Sequence, residues 1–284
     1  MTGFFCFYIF GTEIALHIKK IKFLFTMKKI IVLILVFITV SFDTQREPAF
    51  DTGEWFKFRL HYGLVTAGYA TLEVKESVIA DKKVFHAIGQ GYTTGMTKMF
   101  FNVQDNYETY FDKVTTKPYQ FIRKIDEGGY TKNQTGYFNQ DKNTILVKDF
   151  KANTEKTFST SEQVQDILST FYYLRNHPSV DKLKVGESIA IDMFFDDETT
   201  KFKLKFIGRE DVETKFGIIP TMIFRPLVQS GRIFKEQESV TVWISDDDNK
   251  LPIRIKASLA VGSLKADLDA FKGLKNQFTT KQDE

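Results

Sequence analysis

From residue 50 onward the apolar side chains recur mostly at every second position. Phe56, Phe58, Leu60 and Tyr62 interleave with Lys57, Arg59 and His61, and Phe202, Leu204 and Phe206 interleave with Lys201, Lys203 and Lys205. Successive side chains on a strand point to opposite faces, so this spacing buries one face of a sheet and leaves the other wet. Ala70, Leu72 and Val74 repeat the pattern, as do Val240, Val242 and Ile244, then Ile253 and Ile255. Turn-forming clusters punctuate the runs at 66–68, 81–83, 127–129, 141–143 and 246–250. Short strands joined by tight turns make an antiparallel sheet, and a long series of them curls. The expected fold is mainly β, a single antiparallel curled sheet forming a barrel or half-barrel.

One segment has a different period. Across 164–176, Val164, Ile167, Leu168, Phe171 and Leu174 form the i, i+3, i+4, i+7 stripe of a helix, and His177-Pro178 stops it. A second, shorter helix is expected over 94–102. Helices interrupting a long meander suggest elements that plug or close the sheet. No composition break divides residues 50–275, which read as one β-rich domain, followed by a fraying tail over 276–284.

The N-terminal region has another character. Lys28 and Lys29 precede an apolar core from Ile30 to Val40 that only Thr39 interrupts. A positive start, a short hydrophobic core and then small residues are the build of a signal peptide, and the core is shorter than the ~20 residues of a spanning helix. Residues 27–42 are therefore expected to export the chain to the periplasm or cell envelope, either cleaved after Ser41 or retained as an uncleaved anchor. Residues 1–26 read as an upstream extension from a start codon chosen too early. No Cys follows the core, which excludes a lipoprotein anchor; the sole Cys is Cys6.

Charge follows the same division. Residues 1–46 carry six basic and two acidic side chains, so residues 47–284 come to −1 although the whole chain is +3. The basic balance belongs to the leader, and a nucleic-acid partner is not expected.

Motifs for chemistry are sparse. Gly89, Gly91 and Gly95 approach a dinucleotide fingerprint, with Asp112 about where the ribose-binding acid would lie, but the spacing is one residue too long and the flanks alternate. Two glycines in a bulged strand explain it better. His61, His86 and His177 have no metal-ligand spacing, and the 246–249 turn lacks the glycine and distant Glu of a calcium loop. No nucleophile elbow or phosphate loop is present. Neither a catalytic residue, a metal site nor a cofactor is expected. Asp166, Ser169 and Arg175 are polar positions on the expected helix, where Asp166 at the start and Arg175 in the last turn also suit the helix dipole.

Several segments in order resemble a known family: GEWFKFRLHYGLVTAGYATLEV (53–74), QDILSTFYYLR (165–175), KFGIIPTMIFRPL (215–227), VWISDDDNKLPIRI (242–255) and VGSLKADL (261–268). They resemble exported bacterial proteins grouped as domain of unknown function 3108. The resemblance implies a signal peptide and a β-rich domain, and it supplies no catalytic residues. A weaker similarity is to the half-barrel of periplasmic lipoprotein carriers, which implies an apolar cavity closed by helices. The residues expected at such a cavity are Trp55, His61, Tyr62, Asp166, Ser169, Phe171, Tyr172 and Arg175. The 29 Phe and 11 Tyr supply enough aromatic surface for a cavity lining or an ordinary core.

Three functions remain in view. The first is an envelope protein binding a lipid or other apolar molecule; the second is a structural or interaction protein that binds another envelope protein. The third is an enzyme with a dispersed site, which would gather His61, Asp166, Ser169 and Arg175 in one cleft. Contact with a membrane is expected only through the N-terminal segment.

Overall fold

A computed structural model describes residues 48–230, 233–236 and 240–281. The expected signal segment and upstream extension lie outside the described residues. Among the described residues no helix is long and apolar enough to cross a membrane.

The described residues form a single sheet of fifteen strands, and every pairing between these strands is antiparallel. Its first arm is a meander: β1 (Trp55–Tyr62), β2 (Val65–Ile79), β3 (Lys82–Thr93), β4 (Gln104–Asp112), β5 (Pro118–Glu127), β6 (Tyr130–Asn139), β7 (Thr144–Asp149) and β8 (Thr154–Ser159). Helix α1 (Gly95–Phe100) joins β3 to β4. The chain then crosses through helix α2 (Ile167–Arg175) and returns along a second arm: β9 (Ser188–Phe195), β10 (Glu198–Thr214), β11 (Gly217–Ser230), β12 (Ile233–Glu236), β13 (Val240–Ser245), β14 (Pro252–Ser258) and β15 (Ser263–Lys272). Strand β15 pairs with β1, so the two arms join at the first and last strands, and the free edges are β8 and β9.

Among the described residues no strand pairing between those edges closes the curled sheet. The crossover chain bridges them instead. Gln165 runs parallel to β9; its N–H donates to the Asp192 carbonyl at 2.9 Å, and its own carbonyl accepts from the Phe194 N–H at 2.8 Å. The Phe194 ring packs against Phe121, Phe138 and Phe158 of the first arm, beside Ile145, Val147 and Val164. At the β9–β10 turn Asp196 accepts hydrogen bonds from Arg123 at 2.5 Å and Lys132 at 2.7 Å. That turn holds Asp196 and Asp197 at φ 47° and 66°, a left-handed geometry that Asp tolerates better than most residues.

Both helices are shorter than the sequence pattern predicts. Helix α1 spans six residues rather than 94–102, and α2 begins at Ile167 because Val164 and Gln165 are committed to the seam. The β1–β2 turn falls at Gly63-Leu64, so residues 66–68, expected as a turn, lie within β2. Nor are Gly89 and Gly91 at a bulge, since β3 keeps a regular register with both neighbours there. A Cβ at Gly89 would sit 3.4 Å from Leu168 of the helix, an ordinary contact distance, so packing alone does not require glycine there.

The residues expected as a tail also pack, at least to Lys281. Phe278 lies against Phe216 and Phe271, and the Lys281 N–H donates to the Ile218 carbonyl at 2.8 Å. Their apolar ring and backbone partners were not visible in a polar C-terminal composition.

Strand direction sorts the connections to two ends. Helix α1 and the β1–β2, β5–β6, β7–β8, β9–β10 and β14–β15 turns share one end. The β13–β14 turn and the segments flanking β1 and β15 lie at the other, where the last turn of α2 meets them.

Candidate functional site

Helix α2 enters the curl with a built start. Asp166 caps it: one carboxylate oxygen accepts from the Ser169 N–H at 2.9 Å, and the Asp166 N–H donates to the Ser169 hydroxyl at 2.8 Å. The other oxygen accepts from the Thr109 hydroxyl on β4. Such a reciprocal box satisfies two backbone donors that a helix start leaves open. Burial raises the Asp166 carboxyl to about 6, against the lowering pull of its hydrogen bonds.

The helix ends in a buried ion pair. Arg175 Nη1 and Nη2 donate to Glu54 Oε1 and Oε2, both at 2.6 Å. The two residues are 2 % and 0 % exposed. Its remaining donors go to the Asn249 and Ala49 carbonyls. Phe50, Phe56, Phe171 and Tyr172 surround the guanidinium at 5.2–5.8 Å. Asn249 accepts from the Asn276 N–H and donates to the Gln277 carbonyl, while Asn176 accepts from the Ala49 N–H. This network ties the helix to the start of β1, the β13–β14 turn and the chain after β15. It plugs that end of the curl.

Between α2 and the inner face of the second arm lies a cavity of about 1240 Å³. Its apolar lining comes from the helix (Ile167, Phe171, Leu174) and from alternate positions of the strands (Phe202, Leu204, Val242, Ile244). The charged groups on its wall are largely engaged already. Lys201 pairs with Asp192 at 3.0 Å, Lys250 with Asp181 at 2.6 Å, and Asp196 with Arg123 and Lys132. Three lining residues, Ser161, Thr170 and Thr199, each have a buried hydroxyl oxygen with no hydrogen-bond partner. These oxygens have almost no accessible surface, so they lie behind the wall of the cavity rather than facing it.

Of the eight residues expected at a cavity, Phe171 and Arg175 line it. Tyr172, one position on, faces the other way, between Phe50 (4.6 Å) and Phe111 (5.3 Å), and burial pushes its hydroxyl well above the usual range. Asp166 and Ser169 are spent on the helix cap. Trp55 lies out of phase with Phe56 and Phe58, on the outer face beside Lys272. Tyr62 is at the strand end, its hydroxyl donating to the Val261 carbonyl.

His61 is buried on the outer face against Asp267 at 2.8 Å. Burial alone would raise the Asp267 carboxyl, but hydrogen bonds from Arg254 and His61 hold it low. His61 thus lies apart from Asp166, Ser169 and Arg175 on the helix. Glu54, Asn249 and the Arg123–Asp196 contact were missed because their partners are remote in sequence. The lining residues of β10 and β13 had been legible as inward-facing, but not as facing empty space.

An unclosed curl of antiparallel strands with one end plugged by a crossover helix is a barrel-like protein of the type seen in the crystal structure of a β-barrel-like protein of domain of unknown function DUF1849 from Brucella abortus. The chain is similar to that structure with a TM-score of 0.51 at 8% identity, covering 79% of this chain and 99% of that one. The sequence itself matches the model of DUF3108, described as a protein of unknown function, over residues 57–269; the chain belongs to that family.

Two other solved structures align more loosely. A DUF1089 family protein from Pseudomonas aeruginosa has a TM-score of 0.33 at 11% identity, covering 64% of this chain and 87% of that one. A protein with a YmcC-like fold from Bacteroides fragilis has a TM-score of 0.30 at 7% identity, covering 78% and 97%. Scores this low add nothing to the fold. No curated protein matches this sequence.

Proposed function

We propose that the chain is an exported protein of the cell envelope that holds a lipidic or other apolar molecule in the cavity beneath α2. The observation that carries the reading is the cavity itself. At about 1240 Å³ it exceeds the ~300–1,000 Å³ of most small-molecule pockets, and its wall is aromatic and aliphatic. Because its charges are largely paired within the protein, the guest best suited to it is an acyl chain or similar apolar body. The signal-like segment 27–42 supports export, and the analogy with periplasmic lipoprotein carriers belongs to the same proposal.

The test uses the full chain. Native mass spectrometry of gently purified protein is expected to show a co-purifying lipid, and N-phenyl-1-naphthylamine to bind saturably, displaced by that lipid. Leu204→Arg puts a cation on the lining and should weaken dye binding at least tenfold. Neither lipid nor saturable dye uptake, or uptake unaffected by Leu204→Arg, would sink the reading.

A further inference from the structure

The end of the curl opposite the plug is edged with exposed apolar side chains from three separate connections. In the β1–β2 turn Leu64 is 99% exposed; in α1, Met96, Met99 and Phe100 are 72%, 83% and 87% exposed; in the β14–β15 turn Val261 is 77% exposed. These connections belong to six strands that are consecutive in the sheet, β4-β3-β2-β1-β15-β14, and so sit side by side. Two hydrogen bonds link them directly: the Thr94 N–H donates to the Ala67 carbonyl, and the Tyr62 hydroxyl to the Val261 carbonyl. Large apolar side chains clustered on a water-facing rim mark a surface that something covers.

Charge says what covers it. Residues 62–72, 91–104 and 255–266 contain three lysines, Lys98, Lys256 and Lys265, and no acidic residue; the carboxylates that follow at this end, Asp105 and Glu127, are engaged with each other beside Val103. Lys256 and Lys265 stand directly opposite each other on β14 and β15. Like charges in that position repel, and among the described residues none of the three lysines has an acidic partner. Apolar side chains flanked by uncompensated cations fit a bilayer surface bearing anionic headgroups, where apolar groups sink below the phosphates and lysines stay among them. Exposed side chains spread over three connections also suit a fluid surface better than the shaped pocket of a protein partner.

We infer that this rim docks on an anionic lipid membrane, independently of the N-terminal segment. Ile255 lines the cavity while Lys256, the next residue on β14, points to the opposite face of the sheet. The inference stands on the rim's own residues, whatever the cavity holds.

Hydrogen exchange of the full chain with and without vesicles separates rim contact from tethering by the N-terminus. With vesicles of phosphatidylcholine and phosphatidylglycerol, exchange at 62–66, 95–101 and 258–263 is expected to slow at least fivefold. The opposite turns at 80–82, 114–117 and 215–217 should stay unchanged. Pure phosphatidylcholine, or Lys98→Glu/Lys256→Glu/Lys265→Glu with the anionic vesicles, should remove most of that protection. So should Leu64→Ser/Met99→Ser/Phe100→Ser, whose sites are too exposed to endanger folding. Vesicle binding that leaves the three connections unprotected overturns the inference, as does equal protection on uncharged vesicles. Protection that appears without vesicles as protein concentration rises would also overturn it, and would assign the rim to a second copy of the chain.

Discussion

Glu54 and Arg175, 121 positions apart in sequence, form a bidentate ion pair at 2.6 Å in the plugged end of the curl, and almost no solvent reaches either. The pair fixes the end of the crossover helix against the first strand. Removing one partner leaves a charge that water cannot reach, which costs between about 3 and 5 kcal/mol. Arg175→Met is therefore expected to lower the unfolding free energy by that amount in urea titration. Glu54→Gln/Arg175→Met should recover part of the loss, because no bare charge remains; a double variant no better than the single would disprove that account.

Stability should also depend on pH through two carboxyls. Asp166 is raised to about 6 by burial, and Asp105 likewise to about 6 by burial and its neighbour Glu127. Each holds its proton more tightly folded than unfolded, where an Asp titrates near about 3.9. Their contribution is thus fully present below about pH 4, declines as pH rises to about 6, and is flat above. Asp166→Asn keeps a capping oxygen and removes one of the two titrations. Its melting profile from pH 4 to pH 7 should be flatter than that of the wild type, whereas Asp166→Ala should cost about 1 kcal/mol at neutral pH through the lost cap. An Asn variant with an unchanged profile would show that Asp166 does not titrate there.

At the seam, Gly136 on β6 faces the Phe121 ring, and a Cβ in that position would lie 2.2 Å from it. Phe121 in turn packs on Phe138 and Phe194 across the gap. Gly136→Ala must push that ring aside, at a cost of about 1–3 kcal/mol. Chemical denaturation measures the loss, and faster exchange at the Phe194 amide would show that it spreads to the seam.

Arg123 holds the β9–β10 turn through Asp196 and lies 4.4 Å from the Phe195 ring centre. Since Asp196 is half exposed, the pair adds only about 1 kcal/mol to global stability. Arg123→Ala should leave the melting temperature nearly unchanged while amide exchange at 195–198 speeds up by about tenfold. No change in exchange would mean that the turn is held by its backbone alone.

How much of this was legible in the sequence depended on distance along the chain. Strand β10 could be read because Phe202, Leu204 and Phe206 alternate with lysines, a pattern that one buried face dictates locally. Strand β8 could not, since Thr154–Ser159 is a free edge with nearly every residue exposed and only Phe158 to mark it. The helix stripe around Leu168 and Phe171 was plain, but its start was placed too early because Val164 belongs to a cluster with residues of β7 and β9. For the cavity the limit was of another kind. Alternation tells which side chains turn inward, not whether anything meets them there, and Phe202 and Leu204 look the same facing a ring or a void. Glu54 had no local sign at all.

The pairing of β1 with β15 has a consequence for how such a chain is made. The earliest strand to leave a ribosome or a secretion pore keeps one flank bare until nearly the last residue has followed, because its neighbour on that side is the final strand. A product cut short before Ser263 therefore lacks the partner that joins its two arms, and exposes the unpaired edge through which strands of different molecules add to one another.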